Sequence, residues 1–175
     1  MAQREIYSQG SLDGSCFLYS WANAVRSVTC NPLPEDSWAR GIADLPFSTR
    51  DFLGGAGTGK LDDSPGALLI AARMFVEGFR CEVSVSEISG SLAAIVEALS
   101  SRKAVVAAID DGDHWVALLE VSGGYAYYAC SWKLHNSDRY SEKLSPGKLL
   151  YNERCTVKEL GLWDGPAFVV GLKSY

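Results

Sequence analysis

Apolar residues first recur at helical spacing over residues 16–28, where Phe17, Trp21, Ala24, Val25 and Val28 fall on one face. The stretch before it, SQGSLDGS, is turn-rich and ends in small polar residues suited to capping that helix. Residues 30–60 are less regular, with a short helix expected over 35–45 and a glycine-rich loop over 54–60. Ser64-Pro65 marks a further helix start, a serine N-cap followed by proline in the first turn. That helix is expected to run through Leu68, Leu69, Ala72 and Phe75 and to stop at Gly78. Residues 81–85 alternate as a strand does, and 92–99 predict another helix, begun by Ser89 or Ser91 and finished near Ser101.

The pattern then turns to β-structure. Residues 104–109 form a short apolar run of strand length. After the polar turn DDGD come two more runs, 114–121 and 125–132, joined by Ser-Gly-Gly, which predicts a β-hairpin. Thr156 and Glu159 match a capping box that should open a short helix ending at Gly161, and 167–172 makes a last strand. Helices first and an antiparallel sheet second describe an α+β fold. No internal repeat, linker or low-complexity stretch divides the chain, so 1–175 reads as a single domain.

Composition narrows the function classes. A length of 175 residues suffices for one substantial core, and 47% hydrophobic with 21% charged residues is ordinary for a globular protein. A net charge of -5, with basic residues scattered, argues against nucleic-acid binding. No run reaches the length of a membrane span, and the first ten residues lack the apolar core of a secretion signal. The five cysteines, Cys16, Cys30, Cys81, Cys130 and Cys155, are odd in number, widely spaced and without a CxxC pair. That excludes an obvious disulfide scaffold or zinc site and points to reduced thiols in the cytoplasm. Export without a classical signal, or delivery into a host cell, would leave no trace in such a sequence.

Two residues carry the candidate chemistry. Cys16 stands where a loop becomes a helix, so unpaired backbone N–H groups and the helix dipole can favour its thiolate. A cysteine taken alone more commonly packs as a small apolar residue. His114 follows the acidic turn and opens a predicted central strand; the other histidine, His135, lies in a polar segment. A cysteine at a helix start and a histidine at a strand start, far apart in sequence, form the pattern of a thiolate–imidazolium pair. The bland alternative pairs His114 structurally with Asp111 or Asp113.

SQGSLDGSCFLYSWANAV resembles the active-site helix of papain-like cysteine peptidases, and the order helix, helix, KAVVAAI and HWVALLEV resembles their peptidase C39-like branch. The resemblance spans nearly the whole chain. It implies a papain-like fold, with an N-terminal helical half carrying the cysteine helix and a C-terminal antiparallel sheet carrying the histidine. It also implies Cys16 as nucleophile, His114 as general base, and Gln9 with the Cys16 backbone N–H as oxyanion donors. Gln9 lies seven residues before Cys16, one more than the family's usual spacing. The substrate implied is a peptide or protein, with no metal and no organic cofactor. Trp115 and Trp132 would line or shield the cleft.

The chain departs from the family at the residue that orients the histidine. Cys130-Ser131-Trp132 stands where Asn-Ser-Trp is expected, and a thiol is a poor acceptor for the imidazole N–H. With Cys130 in the orienting position, either the dyad works without a strong third member, or Ser131, Asn136 or Asp138 substitutes from nearby, or the fold has been kept for binding without catalysis. The stretch Asp13-Gly-Ser-Cys16-Phe17 also resembles ovarian-tumour-type deubiquitinases, which would keep both catalytic residues and change the substrate to an isopeptide bond. Residues 54–60 match GxxxxGK, but Leu61 replaces the Ser or Thr of a phosphate loop and no strand leads in, so a surface loop is expected.

Overall fold

The computed structural model describes residues 6–7, 15–46, 59, 61, 66–100, 102–132 and 151–173. Gln9, most of the 54–60 loop, Ser64-Pro65, His135, Asn136 and Asp138 lie outside the described residues.

Helix α1 spans Cys16–Thr29, as the apolar spacing predicts. It is more deeply placed than a one-faced helix: Ser20, Asn23, Arg26 and Ser27 are buried along with the apolar residues. Asn23 and Ser20 find backbone partners. Asn23 accepts the Tyr7 N–H at 2.7 Å and donates to the Tyr7 carbonyl at 3.0 Å, which ties the N-terminal segment to α1. Ser20 Oγ donates to the Cys16 carbonyl one turn back, at 2.8 Å. The expected side-chain cap is not made, since Ser15 occupies the N-cap position without such a bond. Among the described residues, helices α2 Ser37–Ala43 and α3 Ala67–Glu77 come next. Helix α3 begins just beyond Gly66, whose φ of 76° is left-handed, so the helix starts later than Ser64-Pro65 suggests.

Six strands form one antiparallel sheet: β1 Val83–Ser89, β2 Lys103–Ile109, β3 His114–Ser122, β4 Tyr125–Ala129, β5 Glu153–Thr156 and β6 Pro166–Leu172, in the order β1-β6-β2-β3-β4-β5. Helix α4, Leu92–Ala98, joins β1 to β2 and is capped by Ser91, whose Oγ accepts the Ala94 N–H at 3.4 Å. The predicted hairpin is β3–β4: Ser122 pairs with Tyr125 across Gly123 and Gly124, whose φ values of 57° and 81° suit a two-residue turn matching the strand twist. Other bounds differ from expectation: the first strand runs Val83–Ser89 instead of over 81–85, β4 stops at Ala129, and residues 157–160 form a turn instead of a helix. The capping-box bonds nonetheless exist, Glu159 accepting from both the N–H and the hydroxyl of Thr156, but they close a turn at the end of β5.

Strand β2 is buried on both faces. Ala104, Val106 and Ala108 join one apolar cluster with α1 and α3, while Val105, Ala107 and Ile109 join a second with Ile95 of α4 and Leu160. The alanines on the first face let α1 approach the sheet closely. At that junction Phe17 meets Trp115 at 4.8 Å and Phe168 at 5.9 Å, all three edge-on or tilted. This aromatic contact holds the first turn of α1 against the first residues of β3.

Candidate active site

Cys16 opens α1 and His114 opens β3, the two positions expected of a nucleophile and its base. A turn of three left-handed residues leads into His114: Asp110, Asp111 and Gly112 have φ of 53°, 57° and 99°. The ring of Trp163 lies over Gly112, 3.5 Å from where a Cβ would stand, and the Trp163 backbone N–H donates to the Ala108 carbonyl at 3.1 Å. The strained turn is thus held from outside, as turns that aim a functional side chain commonly are.

His114 is buried, and its Nε2 lies 3.2 Å from Cys130 Sγ. The alternative pairing with Asp111 or Asp113 is not the one this ring nitrogen makes. Cys130 follows β4 directly and is itself buried. Its backbone is gripped by Asn152, which accepts the Cys130 N–H at Oδ1 and donates from Nδ2 to the Cys130 carbonyl, both at 2.8 Å. The sequence reading missed Asn152. The signal available was only an Asn just before a short polar strand, and strand β5 itself was not foreseen. Ser131 is fully buried next in the chain, while Trp132 is 61% exposed, with its ring centroid 5.8 Å from that of His114.

Three backbone N–H groups gather on the Cys16 sulfur, those of Trp115, Phe17 and Cys16 itself. The first belongs to the residue after His114, so the sulfur touches the very start of β3. The expected lowering of the thiol pKa does not result. Burial is the largest influence and pushes the Cys16 thiol up; the N–H groups pull it down, and Cys130 adds to the rise. The helix start supplies the donors the sequence suggested, but closure of the site around the sulfur outweighs them.

The expectation that Trp115 lines a cleft is corrected. Its ring is 5% exposed and packs in the core on Phe17 and Phe168, because side chains along β3 alternate and Trp115 takes the α1-facing side. Its backbone is what reaches the site. None of the five cysteines is joined in a disulfide. Among the described residues there is no group of three or more His, Cys, Asp or Glu arranged to hold a metal ion, and no helix long and apolar enough to cross a membrane.

The sequence matches no family model and no curated protein. The structure, however, is similar to the crystal structure of a double glycine motif protease from an AMS/PCAT transporter in complex with the leader peptide. The TM-score is 0.53 and the identity 16%, over 98% of this chain and 94% of that one. That likeness shows the fold alone: α+β and papain-like, with Cys16 on the N-terminal helix and His114 on a strand of the sheet.

Proposed function

We propose that the protein is a cysteine hydrolase, by default a peptidase, with Cys16 as nucleophile and His114 as general base. The observation that carries this reading is the contact of the Cys16 sulfur with the Trp115 N–H, beside a His114 whose Nε2 edge is turned to Cys130. The Cys16 thiol gives its proton to His114, and the sulfur attacks an amide carbonyl carbon. His114 returns the proton to the leaving amine as the carbon–nitrogen bond breaks. Water, deprotonated by the same imidazole, then releases the acid from the Cys16 thioester. Since burial raises the Cys16 thiol, this proton transfer is coupled to attack and does not wait on a stable resting thiolate. Gln9 and the Cys16 N–H are the proposed donors to the oxyanion.

The fold-level likeness to a protease bound to a leader peptide supports a peptide substrate for this chain. Residues 1–175 then act as one catalytic domain, and cysteines without a disulfide fit a reducing compartment such as the cytoplasm. A second reading, a papain-like fold kept for binding, is favoured by the sulfur in the Asn/Asp place and by the raised Cys16 thiol.

Iodoacetamide labelling of each cysteine, followed by mass spectrometry across a pH series, separates the two. An enzyme shows Cys16 labelling whose rate and pH dependence rest on His114, so that both change in His114→Ala. Cys16 labelling that is the same in wild type and His114→Ala at every pH would sink the enzyme reading.

A further inference from the structure

Resting on the catalytic reading above, we propose that Trp163 is a positioning residue for His114. Its indole braces the turn that joins β2 to β3, and through that turn fixes where the imidazole stands.

The turn calls for a brace. Ile109 pairs with His114 across it, so whatever bends the turn also moves His114. Asp110, Asp111 and Gly112 are all left-handed, and residues with a Cβ visit that region singly, not in runs. Such a run persists only where its surroundings hold it.

Residues 161–165 supply that hold. The Trp163 N–H donates to the Ala108 carbonyl at 3.1 Å, Leu162 bridges Ile109, and the Gly165 carbonyl accepts the Gly90 N–H at 2.8 Å. The segment is thus tied to the end of β2 and to the residue before the Ser91 cap of α4. From this base the indole reaches over the turn. Its Cγ, Cδ2 and Cε2 lie 3.5 to 3.6 Å from where a Gly112 Cβ would stand, so the ring covers Gly112 with its face. Its far edge lies against Gly165, where a Cβ would come 2.2 to 2.4 Å from Cζ3, Cε3 and Cη2. A larger residue at 165 would push the ring off the turn.

This ring does not serve the core in the usual way. Leu162 beside it packs against the second apolar cluster, whereas Trp163 is 37% exposed and lays its ring on backbone. Gly112, which it covers, stands two residues before His114. The brace therefore acts on the base through the chain itself, without touching a reacting atom.

The test is a double-mutant cycle on the full chain: wild type, Trp163→Ala, His114→Ala and the two changes together, with Trp163→Phe and Gly78→Ala alongside. Cys16 alkylation by iodoacetamide is followed by mass spectrometry, and stability by the urea midpoint. The imidazoles are read by 15N NMR, with His135→Gln assigning the two histidines. Trp163→Ala should cut the His114-dependent part of Cys16 labelling by about tenfold to a hundredfold, the cost of a reacting group displaced by up to about 1 Å. In the His114→Ala background the same change should have little effect, because the residue it positions is gone. Trp163→Phe should restore most of the rate, since a six-membered ring still covers Gly112. Gly78→Ala should lose stability while leaving Cys16 labelling and the His114 signal as they are. Should Trp163→Ala fail to fold, Trp163→Leu, which lacks a flat ring, takes its place throughout. Equal effects of Trp163→Ala in both backgrounds overturn the proposal, as does a His114 signal unchanged by it, or a loss no greater than that in Gly78→Ala. Identical labelling of wild type and His114→Ala at every pH sinks the catalytic reading instead. The NMR then decides the placement alone: a His114 signal shifted in Trp163→Ala and restored in Trp163→Phe upholds it, and an unmoved one overturns it.

Discussion

The Asn152 amide closes a two-bond ring with the backbone of Cys130, both bonds 2.8 Å, and so prolongs the β4–β5 ladder by one residue beyond the strands themselves. Leu and Ala at that position would leave a buried N–H and carbonyl without their partner. Asn152→Ala is therefore expected to cost about 1–3 kcal/mol, the penalty for orphaned buried polar groups. Asn152→Asp keeps the acceptor and loses the donor, and should fall between. Urea midpoints measure both, and an Asn152→Ala protein as stable as wild type would show that the clamp is dispensable.

The close approach of α2 to the end of α3 rests on two glycines. A Cβ on Gly78 would stand 2.5 Å from the Cα and N of Gly41, and one on Gly41 would stand 2.8 Å from the Phe75 carbonyl oxygen. Backbone cannot turn aside as a side chain can, so the helices would have to separate. Gly78→Ala should destabilise by about 1–3 kcal/mol, the usual cost of overpacking. Denaturant unfolding checks this, and a loss under a few tenths of that range would mean the helices slide apart freely.

The elements that the sequence made legible are those whose local signals agree with their tertiary setting. The helix from Cys16, the Ser91-capped α4, the apolar run of β2 and the Gly123-Gly124 hairpin all formed close to the expected places. The capping box at Thr156 and Glu159 shows the opposite case: the hydrogen bonds formed, but the chain already belonged to an edge strand and had no room to continue as a helix. At the candidate site, Cys16 stands at a helix start, His114 at a strand start and Cys130 against His114, placements that the spacing along the chain allowed to be read. The role of Asn152 was not legible, because its partner lies 22 residues away across a ladder that no local pattern announces. Nor was the net effect on the Cys16 thiol, since helix-start donors can be read from sequence while burial cannot.

Trp115 is buried and Trp132 exposed, and the two should respond in opposite ways. Trp115 packs on Phe17 and Phe168 in the core, so Trp115→Ala should cost about 3–5 kcal/mol of stability. Trp132 is largely exposed, so Trp132→Ala should stay within about 0.5 kcal/mol of wild type. Its ring lies against His114, so the same change should shift the pH profile of Cys16 alkylation while the fold stands. Thermal unfolding and alkylation on each variant separate the two roles, and a Trp132→Ala protein with an unaltered pH profile would remove Trp132 from the site.

Stability should fall on the alkaline side, and Tyr128 should account for a distinct part of the fall. Burial pushes the Tyr128 hydroxyl well above the ordinary tyrosine range, with Cys155 and Glu153 adding to the rise. Burial likewise raises the Cys16 and Cys81 thiols. For each, the unfolded chain ionises first, so the stability these groups contribute is fully present below the unfolded pKa and is lost as pH rises through the folded one. The thiols should therefore begin to weaken the fold above about pH 8.5 and Tyr128 above about pH 10. Tyr128→Phe removes the second group, so its urea midpoint should decline less steeply than wild type beyond about pH 10, whatever its stability at neutral pH. Parallel declines in the two proteins would mean that the Tyr128 hydroxyl ionises as readily in the folded chain as in the unfolded one.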